Sequence, residues 1–186
     1  MKPEIAFVVL WAGWAVSWAA AAFWSDRTEK RAGGTIYRIV LLVGAAIFFI
    51  PAHHYRGALR FWSIGRDGAW ICVVLTAAGI AFAWWARVHL GRLWSGAVTR
   101  KPDHRVVDTG PYGIVRHPIY TGLLLSVFAT AAAKGTLPGI AGAALLLLGI
   151  RLKAGLEERF LTAELGEAAY GDYRRRVPVL LPFGPR

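Results

Sequence analysis

Residues 137–166, LPGIAGAALLLLGIRLKAGLEERFLTAELG, decide how this chain folds. The apolar stretch 137–155 approaches the roughly 20 residues needed to cross hydrocarbon. No helix break follows where the membrane should end, so one helix is expected to continue through LKAGLEERFLTAEL to Gly166, leaving the bilayer still helical. Glu157 and Glu158 sit at that exit, and Lys153 lies one turn earlier on the same face. Carboxylates near an apolar boundary are costly when unpaired, so these two need cations. The competing reading is a surface ion pair at a helix exit, which is common and energetically minor.

Working outward, Lys134-Gly135-Thr136-Leu137-Pro138 is a tight turn with Pro138 in the first turn of the next helix. The apolar stretches 119–133 and 137–155 therefore form a helical hairpin. Three more stretches, at 5–24, 36–52 and 69–89, complete an all-α integral membrane fold of about five transmembrane helices, a cytoplasmic helical extension and a lid-like tail. The stretches 36–52 and 119–133 are short and end in headgroup territory. By length the chain is a single domain, 1–186, with a two-span anchor at 1–68 and a working core at 69–186. Clusters such as Gly44-Ala45-Ala46 and Gly139 to Ala144 permit close helix approach.

The composition, 56% hydrophobic with nine Trp, is far from that of an average soluble chain. The net charge of +11 sits in loops beside spans rather than in a separate basic domain. That argues against nucleic acid and for anionic lipid headgroups as partner. In a five-span arrangement, 17 of the 22 Lys and Arg residues fall on one face. The positive-inside rule then places the N-terminus outside, and the 90–118 loop and the C-terminus in the cytoplasm of a bacterial inner-membrane protein. The N-terminal run is longer than a signal core and ends in Phe23, Trp24, Asp26 and Arg27, so a retained span is expected. The lone Cys72 reads as a small buried hydrophobe. His53 and His54 are adjacent and diverge on a helix, which suits an interfacial pair rather than a metal site. The Trp11, Trp14 and Trp18 stripe reads as packing or lipid contact.

The chemistry concentrates in residues 110–122, GPYGIVRHPIYTG. Arg116 and His117 bring charge and a titratable ring, and Pro118 delays the next helix to that point. Tyr112 and Tyr120 add flat faces suited to a purine or a sulfonium. On the five-span topology this segment meets Glu157 and Glu158 at the same membrane face. Cations facing acids in a semi-buried cleft suit a zwitterionic ligand. The tail, YGDYRRRVPVLLPF, is apolar and proline-broken, and can fold back over that face.

GPY, RHPIYTG, the Glu157-Glu158 pair and YGDYRRRVPVLLPF, in this order, resemble the isoprenylcysteine carboxyl methyltransferase family of integral-membrane enzymes, whose wider group includes phospholipid N-methyltransferases. The resemblance covers about residues 87–184 and includes GRLWSG and DHRVVDTGPY. It implies S-adenosyl-L-methionine as cofactor, bound on the cytoplasmic side under the tail. Carried over residue by residue, it implies cofactor binding by His104, Arg105, Val106, Val107, Tyr112, His117, Pro118, Ile119, Tyr120 and Glu157. Val106 stands where the family often has Leu. Lys153 is the implied substrate contact, and as a lysine it lacks arginine's bidentate grip. Arg116, Glu157 and Glu158 are the candidate catalytic residues, Arg116 as a fixed cation for an acceptor carboxylate.

Methyl transfer to a carboxylate or thiolate is a direct displacement, so positioning and exclusion of water provide most of the rate. A lipophilic or small hydrophobic acceptor entering from the bilayer is expected, with carboxylate first and lipid amine or thiol as alternatives. A non-catalytic membrane assembly or transport protein would use the same charges as lipid anchors. A haem or quinone protein would want paired mid-membrane histidines, whereas all five here fall at span ends or in loops.

Overall fold

The computed structural model describes residues 1–23, 30–31, 33–50, 59–94, 99–100 and 106–185. The helices are α1 (Pro3–Ala22), α2 (Thr35–Phe48), α3 (Gly65–Leu90), α4 (Pro111–Ile114), α5 (Pro118–Lys134), α6 (Leu137–Leu165) and α7 (Asp172–Arg176). A 3-10 turn, Gly91–Leu93, extends α3, and a π turn, Glu167–Gly171, precedes α7. The extended pairings among the described residues are a two-residue antiparallel contact of Lys30–Arg31 with Thr99–Arg100 and a single antiparallel bridge between Arg60 and Thr136. The fold is thus all-helical.

Among the described residues, three helices are long and apolar enough to cross a membrane: Pro3–Ala22, Gly65–Leu93 and Leu137–Leu165. The helices α2 and α5, of 14 and 17 residues, are apolar but shorter. At 29 residues, α6 runs unbroken as the sequence suggests. Its length is about 43 Å against a hydrocarbon core of about 30 Å, so several residues must project beyond the apolar layer. Pro118 is the first residue of α5, and Gly135 closes that helix in the left-handed conformation before α6 begins. The segment 36–52 falls short of its expected extent, because α2 ends at Phe48 with Phe49 as its cap. His53 and His54 lie outside the described residues.

The helices alternate in direction between two ends. At one end, Lys134 Nζ donates to the carbonyls of Phe48 and Ile50, satisfying the exposed C-terminus of α2. At the other, the buried Arg87 donates to Ala21 O and to Gly91 O, both at 2.8 Å, and stacks over Trp94 at 4.3 Å. One cation thereby caps both α1 and α3.

Packing is dominated by two pairs, α3 along α5 and α2 along α6, rather than by the α5–α6 hairpin. Backbone crossings explain the first pair. A Cβ at Gly79 would collide with the Gly122 carbonyl and Ser126 Oγ, so only glycine lets the helices come this close. In the second pair, Gly142 of α6 lies against Phe48 of α2. Polar contacts lock the interior: Trp11 Nε1 donates to Thr130 Oγ1 at 3.1 Å and Ser126 Oγ donates to Thr76 O at 2.9 Å. Trp11 and Cys72 are buried, as their sequence settings suggest.

Candidate active site

The site lies where α4, the start of α5, the exit of α6 and the returning tail converge. Gly110 takes a positive φ of 57° and admits α4; the chain then extends through Val115 to reach α5 at Pro118. Two backbone bonds dock the tail on this extended piece: Arg116 N donates to Pro178 O at 2.8 Å and His117 N donates to Val179 O at 3.1 Å. Thr121 Oγ1 donates to Leu180 O at 2.6 Å. Tyr173 OH donates to Tyr112 O at 2.8 Å.

His117 is the hub. Its Nδ1 is 3.5 Å from Glu157 and its Nε2 is 3.3 Å from Glu158. Burial alone would lower its pKa, but the hydrogen bonds and charges of the two carboxylates together raise it above the ordinary imidazole value. An imidazolium donating from both nitrogens fits this setting. Tyr120 stacks on the ring with centroids 5.3 Å apart, and its hydroxyl donates to Glu157 Oε1 at 2.7 Å. Lys153 Nζ stands 3.9 Å from Glu157 and 5.3 Å above the Tyr120 ring. His117, Tyr120, Glu157, Glu158 and Lys153 are thus brought together as the sequence groups them.

Arg116 departs from expectation. Its side chain is 2% exposed, with Nε donating to Glu158 at 2.7 Å and Nη1 to Arg174 O at 2.7 Å and Val177 O at 2.6 Å. The guanidinium faces the tail and Glu158, not an open cleft, so its fork is not presented to an acceptor carboxylate. Glu158 likewise looks toward the tail, with Arg174 Nε at 3.7 Å. Arg116 and Glu158 form a clasp.

The other sequence candidates divide. Val107 packs in the cluster of Ala86, Tyr112 and Ile119, and Val106 in that of Tyr170, Tyr173 and Val177. The side chains of Tyr112, Pro118 and Ile119 are buried in the core. His104 and Arg105 lie outside the described residues. Tyr37 of α2 was missed. It is buried beneath Lys153, whose Nζ stands 6.0 Å from its ring centroid, and it accepts from Arg38 Nε at 3.3 Å. No motif marks it; only the α2–α6 pairing brings it here.

The family described as isoprenylcysteine carboxyl methyltransferase (ICMT) matches residues 70–162, half of the chain. The chain belongs to this family. The ICMT match contains His117, Tyr120, Lys153, Glu157 and Glu158, whereas Tyr37 and the tail clasped by Arg116 lie beyond it. Among curated relatives, methanethiol S-methyltransferase 2 of Bradyrhizobium diazoefficiens is 48% identical over 73 residues, 38% of this chain and 26% of the relative. The cobalt-zinc-cadmium resistance protein CzcN of Cupriavidus metallidurans is 31% identical over 130 residues, 67% of this chain and 57% of the relative. Protein-S-isoprenylcysteine O-methyltransferase B of Arabidopsis thaliana is 26% identical over 151 residues, 79% of this chain and 74% of the relative. The chain therefore spans less than two thirds of the first two relatives.

Proposed function

We propose that this protein is a membrane methyltransferase that moves the methyl group of S-adenosyl-L-methionine to a lipophilic or small hydrophobic acceptor arriving from the bilayer. The observation that carries this reading is the Tyr120–Glu157 hydrogen bond beneath the stacked His117 ring, inside the family-matched segment. A carboxylate flanked by aromatic faces suits a sulfonium, so the chemistry of these residues fits the cofactor. When bound, the cofactor supplies an electrophilic methyl group. Glu157, Tyr120 and Tyr112 would hold its sulfonium side, and the His117 imidazolium, with the segment His104, Arg105, Val106 and Val107, would hold its methionine carboxylate.

The remaining residues position and seal. Lys153, between Glu157 and the rings of Tyr37 and Tyr120, orients the acceptor head as a point charge. Arg116 and Glu158 act as positioning residues, holding the tail over the site and keeping water out. An acceptor that is already a carboxylate or thiolate needs no general base. Carboxylate is the first reading for the acceptor. Thiol S-methylation is the second, favoured by the 48% identity to a protein named for it.

In the same reading the three long helices and the shorter α2 and α5 are five spans, with the N-terminus outside and the site cytoplasmic in a bacterial inner membrane. The concentration of 17 of 22 basic residues on one face supports that orientation. The test is to incubate purified protein with methyl-labelled donor and, separately, an S-prenylcysteine, methanethiol and a membrane lipid extract. Donor binding is followed by calorimetry. Labelled product in one arm is expected, whereas absence of donor binding at millimolar concentration overturns the reading. Cysteine labelling of Asp103→Cys and Arg175→Cys from opposite sides of the membrane would overturn the topology.

A further inference from the structure

From Val177 to Pro185 the tail reads VPVLLPFGP, and three of these nine residues are prolines without an N–H. Six of its nine carbonyls are engaged, that of Val177 by Arg116 Nη1. Pro178, Val179 and Leu180 accept from Arg116 N, His117 N and Thr121 Oγ1, Leu181 accepts from Gly184 N, and Pro185 accepts from Val179 N. That is the backbone of a segment docked on the bundle rather than of a loose coil.

Depth points the same way. Leu180 is buried in one cluster with Leu124 and Ile150, against which Leu41 and Leu147 also pack. Leu124 lies six residues into α5, about 9 Å along the axis from Pro118. Leu147 lies ten residues before Glu157, about 15 Å inward from the acids at the helix exit. The tail therefore returns to the level of the apolar runs. There it turns over, and Leu181 and Phe183 point away from the bundle, 65% and 105% exposed. Phe183 is held outward at a positive φ of 62°, unusual for a bulky residue.

We infer that residues 178–184 form a re-entrant hairpin whose tip, Leu181 and Phe183, inserts among the acyl chains of the leaflet at the site end. The occupant of this exposed apolar tip is lipid hydrocarbon, because its neighbour Leu180 already packs at the depth of the apolar runs. Val179 and Leu180 also pack beside Tyr120, so the hairpin forms a wall between the leaflet and the site. The inference depends on the bundle spanning a membrane and not on the reaction proposed above.

The test uses the full chain in a Cys72→Ala background, reconstituted into phosphatidylcholine–phosphatidylglycerol nanodiscs. Spin labels are placed by Phe183→Cys, Leu181→Cys and, as a water-exposed reference, Arg175→Cys, which replaces a side chain 67% exposed. Collision with oxygen and with a water-soluble nickel chelate is read by power saturation. The oxygen-to-nickel ratio at 183 or 181 is expected to be several-fold that at 175. Equal ratios at the three positions overturn the inference. So does shielding from both reagents with label–label broadening, which would put a second copy on the tip. Leu181→Cys keeps the test valid if the variant at 183 fails to fold.

Discussion

Replacing Arg116 by Ala should release the tail while leaving the bundle assembled. The guanidinium is 2% exposed and joins Glu158, the Arg174 carbonyl and the Val177 carbonyl, all within 2.7 Å. Removing one partner of a buried pair costs about 3–5 kcal/mol. Glu158 keeps His117 at 3.3 Å and Arg174 at 3.7 Å, so the lower end applies. A loss of about 3 kcal/mol raises the open-to-closed ratio of the tail roughly 100-fold. Hydrogen exchange reads this directly, because the backbone N–H groups of residues 116 and 117 donate to Pro178 O and Val179 O only while the tail is docked. Exchange at these two amides should accelerate about 100-fold, trypsin should cut at Arg174–Arg176, and helical content should hold. Arg116→Lys should recover only part, since one ammonium cannot reach all three acceptors in the same geometry. Unchanged protection in Arg116→Ala would refute the clasp. Normal tail protection with normal donor affinity and lost turnover would return Arg116 to the acceptor.

Three other outcomes are expected. The His117 pKa is raised in the folded protein, so its stabilisation is fully present below about pH 6.5 and is lost as pH rises through the higher folded value; the wild-type melting temperature should fall across that window, and His117→Gln should flatten the profile. Tyr120→Phe deletes the hydrogen bond to Glu157 and should weaken donor binding about tenfold by calorimetry, consistent with one bond to a charged acceptor; an unchanged affinity would remove Glu157 from the donor site. Gly79→Ala should cost about 1–3 kcal/mol by forcing α3 and α5 apart, whereas Gly155→Ala, with nothing within 4 Å of its Cβ, should be neutral or slightly stabilising in thermal melts.

Features that depend on neighbouring residues were legible in the sequence. The start of α5 at Pro118, the turn at Gly135 and the unbroken run of α6 follow from proline, glycine and the lack of a helix break. Partner choice among helices was not legible. These helices are apolar nearly all round, so no stripe says which face meets which neighbour. Gly79 and Gly122 carry no local signal, and their meaning appears only once both are seen at one crossing. The same holds for Tyr37, which reaches Lys153 through the α2–α6 pairing. The grouping of His117, Tyr120 and the two glutamates was readable from topology. The inward turn of Arg116 was not, because its partners are carbonyls nearly 60 residues later, supplied by a tail that had first to fold back.

The borrowed caps at the two ends of the bundle bear on the order of biogenesis. The last carbonyls of α1 wait for Arg87 of α3, and those of α2 wait for Lys134 of α5. In each case the donor leaves the ribosome after the helix that it finishes. An early span can enter the bilayer by its own hydrophobicity, but its final turn stays unfinished until the later one docks. Synthesis of this chain therefore has checkpoints: a copy stalled before Arg87 or Lys134 carries frayed helix ends at the membrane boundary, where quality-control proteases could tell it from a finished one.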